Sequence, residues 1–176
     1  VFSNVNSSGI EVGVQLVEHP AVKAVGFTGS IRGGRALLDL AAKREEPIPV
    51  FAEMGSVNPV IILPKALTED GNNWAKTYAG SITLGTGQFC TNPGLILGIK
   101  SKELSQFIAQ VSDAILQIKP SVMLHPNIAG AYEINKQKAI SQSDVVVAAS
   151  FIDNTQTNFA SQMIATVEGK EFLENS

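Results

Sequence analysis

The chain has 176 residues, a hydrophobic fraction of 44% and a formal net charge of −3 at pH 7, which is enough for a globular domain with a substantial core. Its charges are scattered and no apolar run reaches the roughly 18–20 residues that cross a bilayer, so we expect neither a nucleic-acid nor a membrane partner. The single cysteine suits a reducing compartment, and we expect a cytoplasmic protein.

Hydrophobic periodicity, punctuated by Gly and Pro, divides the chain into helices and strands. In chain order the pattern predicts helix 7–18, strand 23–28, helix 32–44, strand 50–54, strand 60–63, helix 70–84, strand 95–99, helix 101–118, helix 127–141, strand 145–149 and strand 164–167. The uniformly apolar strand 60–63 is typical of a strand buried on both faces. The alternation predicts an α/β fold, a three-layer α/β/α arrangement around a mostly parallel sheet, with ligands beyond the carboxyl ends of the strands.

The first candidate site is the turn Thr28-Gly29-Ser30, which follows a predicted strand and opens a helix. Glycine allows a ligand to approach the backbone, and the free N–H groups of a first helical turn attract an anion such as a phosphate. Ser30 could cap the helix or donate its hydroxyl to the anion. A simple capped turn is an equally good interpretation, because the run is neither a dinucleotide-binding fingerprint nor a P-loop.

The second candidate is Glu53, which ends an apolar strand and precedes a turn rich in Gly, Ser, Asn and Pro. A carboxylate at such a strand end could act as a general base. The alternative is an ordinary surface carboxylate at the start of a loop.

The third candidate is Cys90, which lies in the Gly-, Thr-, Asn- and Pro-rich segment 85–94. A lone thiol forms no internal disulfide, so Cys90 is either an inert core residue or a nucleophile. An irregular, reachable segment favours the nucleophile.

Three segments together are more specific than any one of them: Phe27-Thr28-Gly29-Ser30, Glu53-Met54-Gly55 and Gly87-Gln88-Phe89-Cys90-Thr91. Their order, and the 37 residues from Glu53 to Cys90 (90 − 53), resemble the aldehyde dehydrogenase superfamily. The resemblance extends along essentially the whole chain. Residues 47–60 are most similar to the α-ketoglutaric semialdehyde (2,5-dioxovalerate) dehydrogenase branch.

The resemblance implies a two-step oxidation of a small aldehyde to a carboxylic acid. Cys90 would attack the carbonyl to give a thiohemiacetal, which becomes a thioester when hydride leaves to NAD or NADP. Glu53 would activate the water that hydrolyses the thioester. The backbone N–H of Cys90 would donate to the oxyanion.

The resemblance also implies a cofactor site and a domain organisation. The expected cofactor-binding residues are Gly29, Ser30, Gly34, Met54 and Gly55. Residues 1–54 would be the end of the NAD(P)-binding Rossmann-like domain, and residues 55–176 an incomplete catalytic domain. The fold would then be aldehyde dehydrogenase-like and truncated at both ends, and the parent protein a homo-oligomer, a dimer or a tetramer.

The resemblance also implies that the family residues completing the oxyanion hole and the cofactor site have no counterpart in this sequence, so we expect little or no dehydrogenase turnover from this chain alone. The alternative function is a catalytically inactive fragment or interaction domain that retains the fold. A thiol redox sensor is a third and more distant possibility, because the sequence has no second cysteine that could resolve an oxidised Cys90.

The remaining conspicuous residues are expected to be structural. His19 and His125 precede prolines, which favours extended backbone at both, and neither has a metal-ligand spacing. We therefore expect no metal site. Trp74, Tyr78 and Phe107 are expected in the core rather than stacked on a cofactor.

Overall fold

The computed structural model describes residues 2–151 and 158–174. The chain folds as two compact units, Val1–Ser56 and Val57–Ser176.

The first unit contains α1 (Glu11–Glu18), β1 (Val25–Thr28), α2 (Ile31–Ala42) and β2 (Val50–Glu53). Strands β1 and β2 pair in parallel, with Val25 opposite Val50 and Thr28 opposite Glu53. Helix α1 packs on α2. The Arg44 guanidinium, just after α2, donates to the carbonyl of Val17 at 2.6 Å and so holds the end of α1.

The second unit contains the remaining elements, which follow one another along the chain as β3 (Val60–Ile62), α3 (Pro64–Thr83), a 3-10 helix (Leu84–Gly87), β4 (Ile96–Gly98), α4 (Lys102–Leu116), β5 (Ser121–Val122), α5 (Pro126–Ile140), β6 (Val146–Ser150), β7 (Phe159–Ala160), β8 (Met163–Thr166) and α6 (Gly169–Glu174). Strands β3 and β4 pair in parallel. Strands β5 and β7, and strands β6 and β8, pair antiparallel.

The core of the second unit lies between α3 and α4. Its buried members are Leu67, Ala75, Phe107 and Val111. The half-buried ring of Tyr78 packs against Phe107 with 6.5 Å between ring centroids. Helix α4 also packs on β6, because its apolar stripe faces both neighbours.

Each predicted helix and strand has a counterpart in the structure, and the α/β class is confirmed. The alternation of helix and strand does not predict the antiparallel pairs β5–β7 and β6–β8. Helix α3 begins at Pro64 rather than at residue 70, and its backbone leaves helical geometry at Asp70, with φ −153° and ψ 35°. The prediction therefore found only the part of α3 after this kink.

Two burial predictions were wrong. Ile61 in β3 is 72% exposed instead of buried on both faces, because β3 pairs only with β4 among the described residues. Trp74 is 49% exposed, whereas Phe107 is 2% exposed. An apolar stripe identifies a helix face but does not tell how much of that face another element covers.

Both histidines before proline are extended, as predicted. His19 has φ −66° and ψ 129°, and His125 has φ −150° and ψ 145°. Each ring Nδ1 accepts from the backbone N–H two residues on, of Ala21 and of Asn127, at 3.1 Å.

In the part of the chain that the structure describes, no group of three or more His, Cys, Asp and Glu side chains could hold a metal ion. None of the described helices combines the length and the hydropathy that crossing a lipid bilayer requires.

Candidate active site

The parallel pairing of β1 and β2 brings two of the candidate segments together at one sheet edge. Thr28 lies opposite Glu53, and the N–H of Gly29 donates to the carbonyl of Glu53 at 3.0 Å. The turn before α2 and the Glu53 segment therefore leave the sheet side by side, at the carboxyl ends where such sheets hold ligands. The Glu53 side chain is exposed.

Ser30 is the N-cap of α2. Its hydroxyl oxygen accepts from the N–H of Gly33 at 3.1 Å, and its carbonyl accepts from the N–H of Gly34 at 3.0 Å. Ser30 therefore caps α2, one of the two roles expected of its side chain. The cap uses the third helical N–H, so those of Ile31 and Arg32, at the positive end of the helix dipole, are the groups that an anion could use.

The glycines around this turn make close packing possible within the unit. A Cβ on Gly29 would lie 2.7 Å from the Phe27 ring, and one on Gly33 would lie 2.9 Å from it. A Cβ on Gly34 would lie 2.5 Å from the sulfur of Met54, whereas Gly55 has open space around it. Packing of Met54 against α2 at Gly34 is a contact that the sequence did not indicate.

Cys90 lies in the second unit and is exposed, so the interpretation as an inert core residue is wrong. It follows the 3-10 helix, whose residues Gly85, Thr86 and Gly87 have φ of 57°, 60° and 72°. This left-handed run suits glycine and is uncommon for Thr86. The Thr86 hydroxyl donates to the carbonyl of Val122 at 3.2 Å, which ties the run to β5.

Asn58 is the residue that binds the backbone of the cysteine turn most directly. Its side-chain amide donates to the carbonyl of Cys90 at 2.7 Å and to the carbonyl of Asn92 at 3.1 Å. The sequence pattern did not single out Asn58 for any role. Its one local signal is an Asn-Pro pair in a turn, a combination that is common in loops.

Two further hydrogen bonds hold the turn to α3. The Asn92 amide donates to the carbonyl of Ile82 at 2.8 Å, and the Tyr78 hydroxyl donates to the carbonyl of Pro93. Burial raises the pKa of Tyr78 from 10.0 to about 12, so this hydroxyl keeps its proton at physiological pH. The cysteine thus sits at the surface on a backbone that side chains fix from several directions.

A mainly apolar cavity of about 600 Å³ in the second unit adjoins the same turn. Thr86, Gly87 and Asn92 line one part of it, and Phe107, Val111 and Ile115 of α4 line another. Its volume falls in the range of small-molecule sites.

Comparison with known proteins identifies the family. The model of the aldehyde dehydrogenase family matches residues 1–148. This chain belongs to the aldehyde dehydrogenase family.

Two curated relatives support the expected branch. The chain is 49% identical over 125 residues to alpha-ketoglutaric semialdehyde dehydrogenase of Acinetobacter baylyi, covering 71% of this chain and 24% of that protein. It is 48% identical over 138 residues to alpha-ketoglutaric semialdehyde dehydrogenase 2 of Azospirillum brasilense, covering 78% and 26%. This aldehyde dehydrogenase chain therefore spans about a quarter of the length of these relatives, and the resemblance to the α-ketoglutaric semialdehyde branch is confirmed.

A solved structure supports the fold. A salicylaldehyde dehydrogenase from Pseudomonas putida G7 superposes with a TM-score of 0.74 at 20% identity, over 92% of this chain and 34% of that one. The aldehyde dehydrogenase-like fold predicted from the motifs is thus confirmed.

Proposed function

We propose that this chain supplies the catalytic cysteine and the water-activating glutamate of an NAD(P)-dependent aldehyde dehydrogenase. The observation that carries the proposal is the exposed Cys90 on a hydrogen-bonded turn within a chain of this family. The names of the two curated relatives make α-ketoglutaric semialdehyde (2,5-dioxovalerate) the candidate substrate.

Cys90 would carry the covalent chemistry. Its thiolate sulfur bonds to the aldehyde carbon, and the carbonyl π electrons move to oxygen to give a thiohemiacetal alkoxide. The N–H of Cys90 donates to that oxygen. As the carbonyl re-forms, hydride leaves the same carbon and a thioester remains on Cys90. When bound, NAD or NADP supplies the acceptor for that hydride.

Glu53 would complete the turnover. Its carboxylate takes a proton from water as the water oxygen attacks the thioester carbon. The carbon–sulfur bond then breaks, which releases the carboxylic acid and regenerates the Cys90 thiolate. A carboxylate in this role favours a free acid as product over transfer of the acyl group to another acceptor.

The residues at the edge of the β1–β2 pair fit a dinucleotide. The N–H groups at the start of α2, with the Ser30 hydroxyl, form a donor set suited to a pyrophosphate. We assign Gly29 and Ser30 to the pyrophosphate, and Met54 and Gly55 to the nicotinamide end of the cofactor. Gly34 contributes to this site by leaving room for the Met54 side chain. In this proposal residues 1–54 belong to the cofactor domain and residues 55–176 to the catalytic domain of a cytoplasmic homo-oligomer.

An activated ester tests both catalytic residues without the cofactor. A nitrophenyl ester acylates a reactive thiol and gives the same kind of thioester that the oxidation produces. We expect the 176-residue chain to release a burst of nitrophenol, followed by slow steady hydrolysis. Cys90→Ser should abolish the burst. Glu53→Gln should keep the burst and slow the steady phase by about a hundredfold, the scale of general-base catalysis.

The controls are chosen to separate catalysis from folding. Glu46→Gln removes an exposed carboxylate of the same unit and should leave both phases unchanged. A burst that survives in Cys90→Ser would reject Cys90 as the nucleophile. An unchanged steady phase in Glu53→Gln would reject Glu53 as the base. A parent chain without a burst would favour the alternative, an inactive chain that retains the fold.

A further inference from the structure

The amide of Asn58 spans the turn that carries Cys90. One NH₂ group uses its two hydrogens on two carbonyls, that of Cys90 at 2.7 Å and that of Asn92 at 3.1 Å. The acceptors are two residues apart, so the amide fixes the direction of both carbonyls at once. Local backbone bonds also close this turn, from the N–H of Asn92 to the carbonyl of Phe89 and from the N–H of Gly94 to the carbonyl of Asn92, both at 3.0 Å, but neither of these two uses the carbonyl of Cys90.

The backbone of Asn58 itself has an uncommon conformation. Its φ is 47°, in the left-handed region that Asn tolerates better than most residues. Uncommon backbone conformations persist where surrounding contacts enforce them, and such places are often functional. At Asn58 the two bonds to the cysteine turn are contacts of this kind.

We propose that Asn58 is the positioning residue of the nucleophile and that its amide sets the reactivity of the Cys90 thiol. This inference rests on the proposed role of Cys90. A peptide carbonyl carries negative partial charge, and that of Cys90 belongs to the same residue as the thiolate. A donor on this carbonyl offsets the charge and keeps the oxygen turned toward Asn58, which favours the thiolate and fixes the direction of its Cα–Cβ bond.

The other hydrogen bonds of the turn act on different peptide groups. The Asn92 amide donates to Ile82, and the Tyr78 hydroxyl donates to Pro93. They hold the turn on α3, whereas Asn58 holds the carbonyl of Cys90 itself. Asn92 is therefore a matched control, an asparagine of the same turn whose donor serves another carbonyl.

The test measures alkylation of Cys90 by iodoacetamide in the 176-residue chain from about pH 6 to 10, read by intact mass. Asn58→Asp keeps the shape of the side chain but cannot donate when ionised. Asn58→Gly removes the side chain and tolerates the positive φ, so it guards against a variant that fails only through backbone strain. Asn92→Asp adds the same charge to the same turn and leaves the donor on Cys90 in place.

We expect both Asn58 variants to label about threefold or more slowly than the parent chain at pH 7, the scale of one hydrogen bond. The pH of half-maximal labelling should move upward in both. Asn92→Asp should show clearly smaller changes. Denaturant unfolding of each variant confirms that the comparison is between folded chains.

The outcomes distinguish this inference from the proposed function. If both Asn58 variants keep the rate and pH profile of the parent chain, or if Asn92→Asp slows labelling as much as they do, the positioning role is wrong while Cys90 can still pass the ester test. If the parent chain shows no ester burst and labels no faster than the unfolded chain, the proposed function itself fails.

Discussion

The backbone N–H of Gly29 donates to the carbonyl of Glu53 at 3.0 Å, one step beyond the last paired residues of β1 and β2. Two motifs that are distant in the sequence therefore leave the sheet as neighbours. The pairing also places Met54 against Gly34. The cofactor-binding residues proposed in the first unit thus belong to a packed assembly, and changes in it should alter stability as well as binding.

Gly33→Ala should destabilise the first unit. An added Cβ would lie 2.9 Å from the Phe27 ring, and such overpacking costs about 1–3 kcal/mol, more than the roughly 1 kcal/mol that alanine gains over glycine in a helix. Gly13→Ala in α1 is the control, since nothing lies within 4 Å of its Cβ. It should stabilise by about 0.5–1 kcal/mol. Equal stabilisation by both variants in denaturant unfolding would contradict the packing argument.

Gln162→Glu should make the stability of the second unit depend on pH, because the Gln162 side chain caps the end of α4. Its amide donates to the carbonyls of Ile115 and Ile118 at the end of α4, the first at 3.0 Å. An ionised Gln162→Glu cannot donate and faces the negative end of the helix dipole, so we expect a loss of about 2 kcal/mol at pH 7.

The sign of the pH effect follows from the same contact. The folded state favours the protonated carboxyl of Gln162→Glu, so stability should return as the pH falls to about 4 and be lost again as it rises. Gln162→Leu loses the cap without a titrating group and should not recover on acidification. Urea unfolding at the two pH values tests this, and parallel behaviour of the two variants would contradict it.

Ser112→Ala should leave the second unit as stable as before or stabilise it. The Ser112 hydroxyl is buried in α4 without a hydrogen-bond partner among residues 2–151 and 158–174. An unpaired buried hydroxyl is unfavourable, and alanine is the better helix former, so we expect a gain of up to about 1 kcal/mol. Ser105→Ala is the comparison, because the hydroxyl of Ser105 is exposed and donates to Ser101. A loss above about 1 kcal/mol at Ser112 alone would reveal a polar contact.

Tyr78 should make folding sensitive to alkali. Its pKa is raised from 10.0 to about 12 by burial, so the unfolded chain loses this proton first. The contribution of the protonated Tyr78 hydroxyl to the free energy of unfolding is complete below pH 10 and is lost as the pH rises to about 12. Tyr78→Phe should flatten the fall of the unfolding midpoint across this window. At neutral pH it should loosen the Cys90 turn, because the bond to Pro93 is gone.

Tyr132 serves as the internal comparison for this titration. Burial also raises its pKa, with a further contribution from Glu133, and its hydroxyl donates to the carbonyl of Ser161 rather than to the cysteine turn. Tyr132→Phe should therefore weaken the alkaline sensitivity while leaving the alkylation rate of Cys90 unchanged. An alkaline fall in stability that is identical in Tyr78→Phe and the parent chain would show that burial of Tyr78 is not its cause.

Local sequence signals determined the elements and their caps. Ser30 and Ser101 accept from backbone N–H groups three residues on, as cap residues before apolar periodic runs do. The buried face of α4 includes Phe107, Val111 and Ile115, which recur in the sequence at helical spacing. These features depend on residues a few positions apart, so a single sequence contains the information that fixes them.

By itself, the sequence determined the type and order of the elements, the family, and a reachable segment around Cys90. Only the tertiary structure decided that Asn58 binds the Cys90 carbonyl across 32 residues, that Met54 packs on Gly34, and that Ile61 and Trp74 are exposed. The physical reason is that propensity and capping act within a turn or two of chain. Hydrogen-bond partners distant in sequence, and the fraction of an apolar face that becomes buried, depend on which elements pack together.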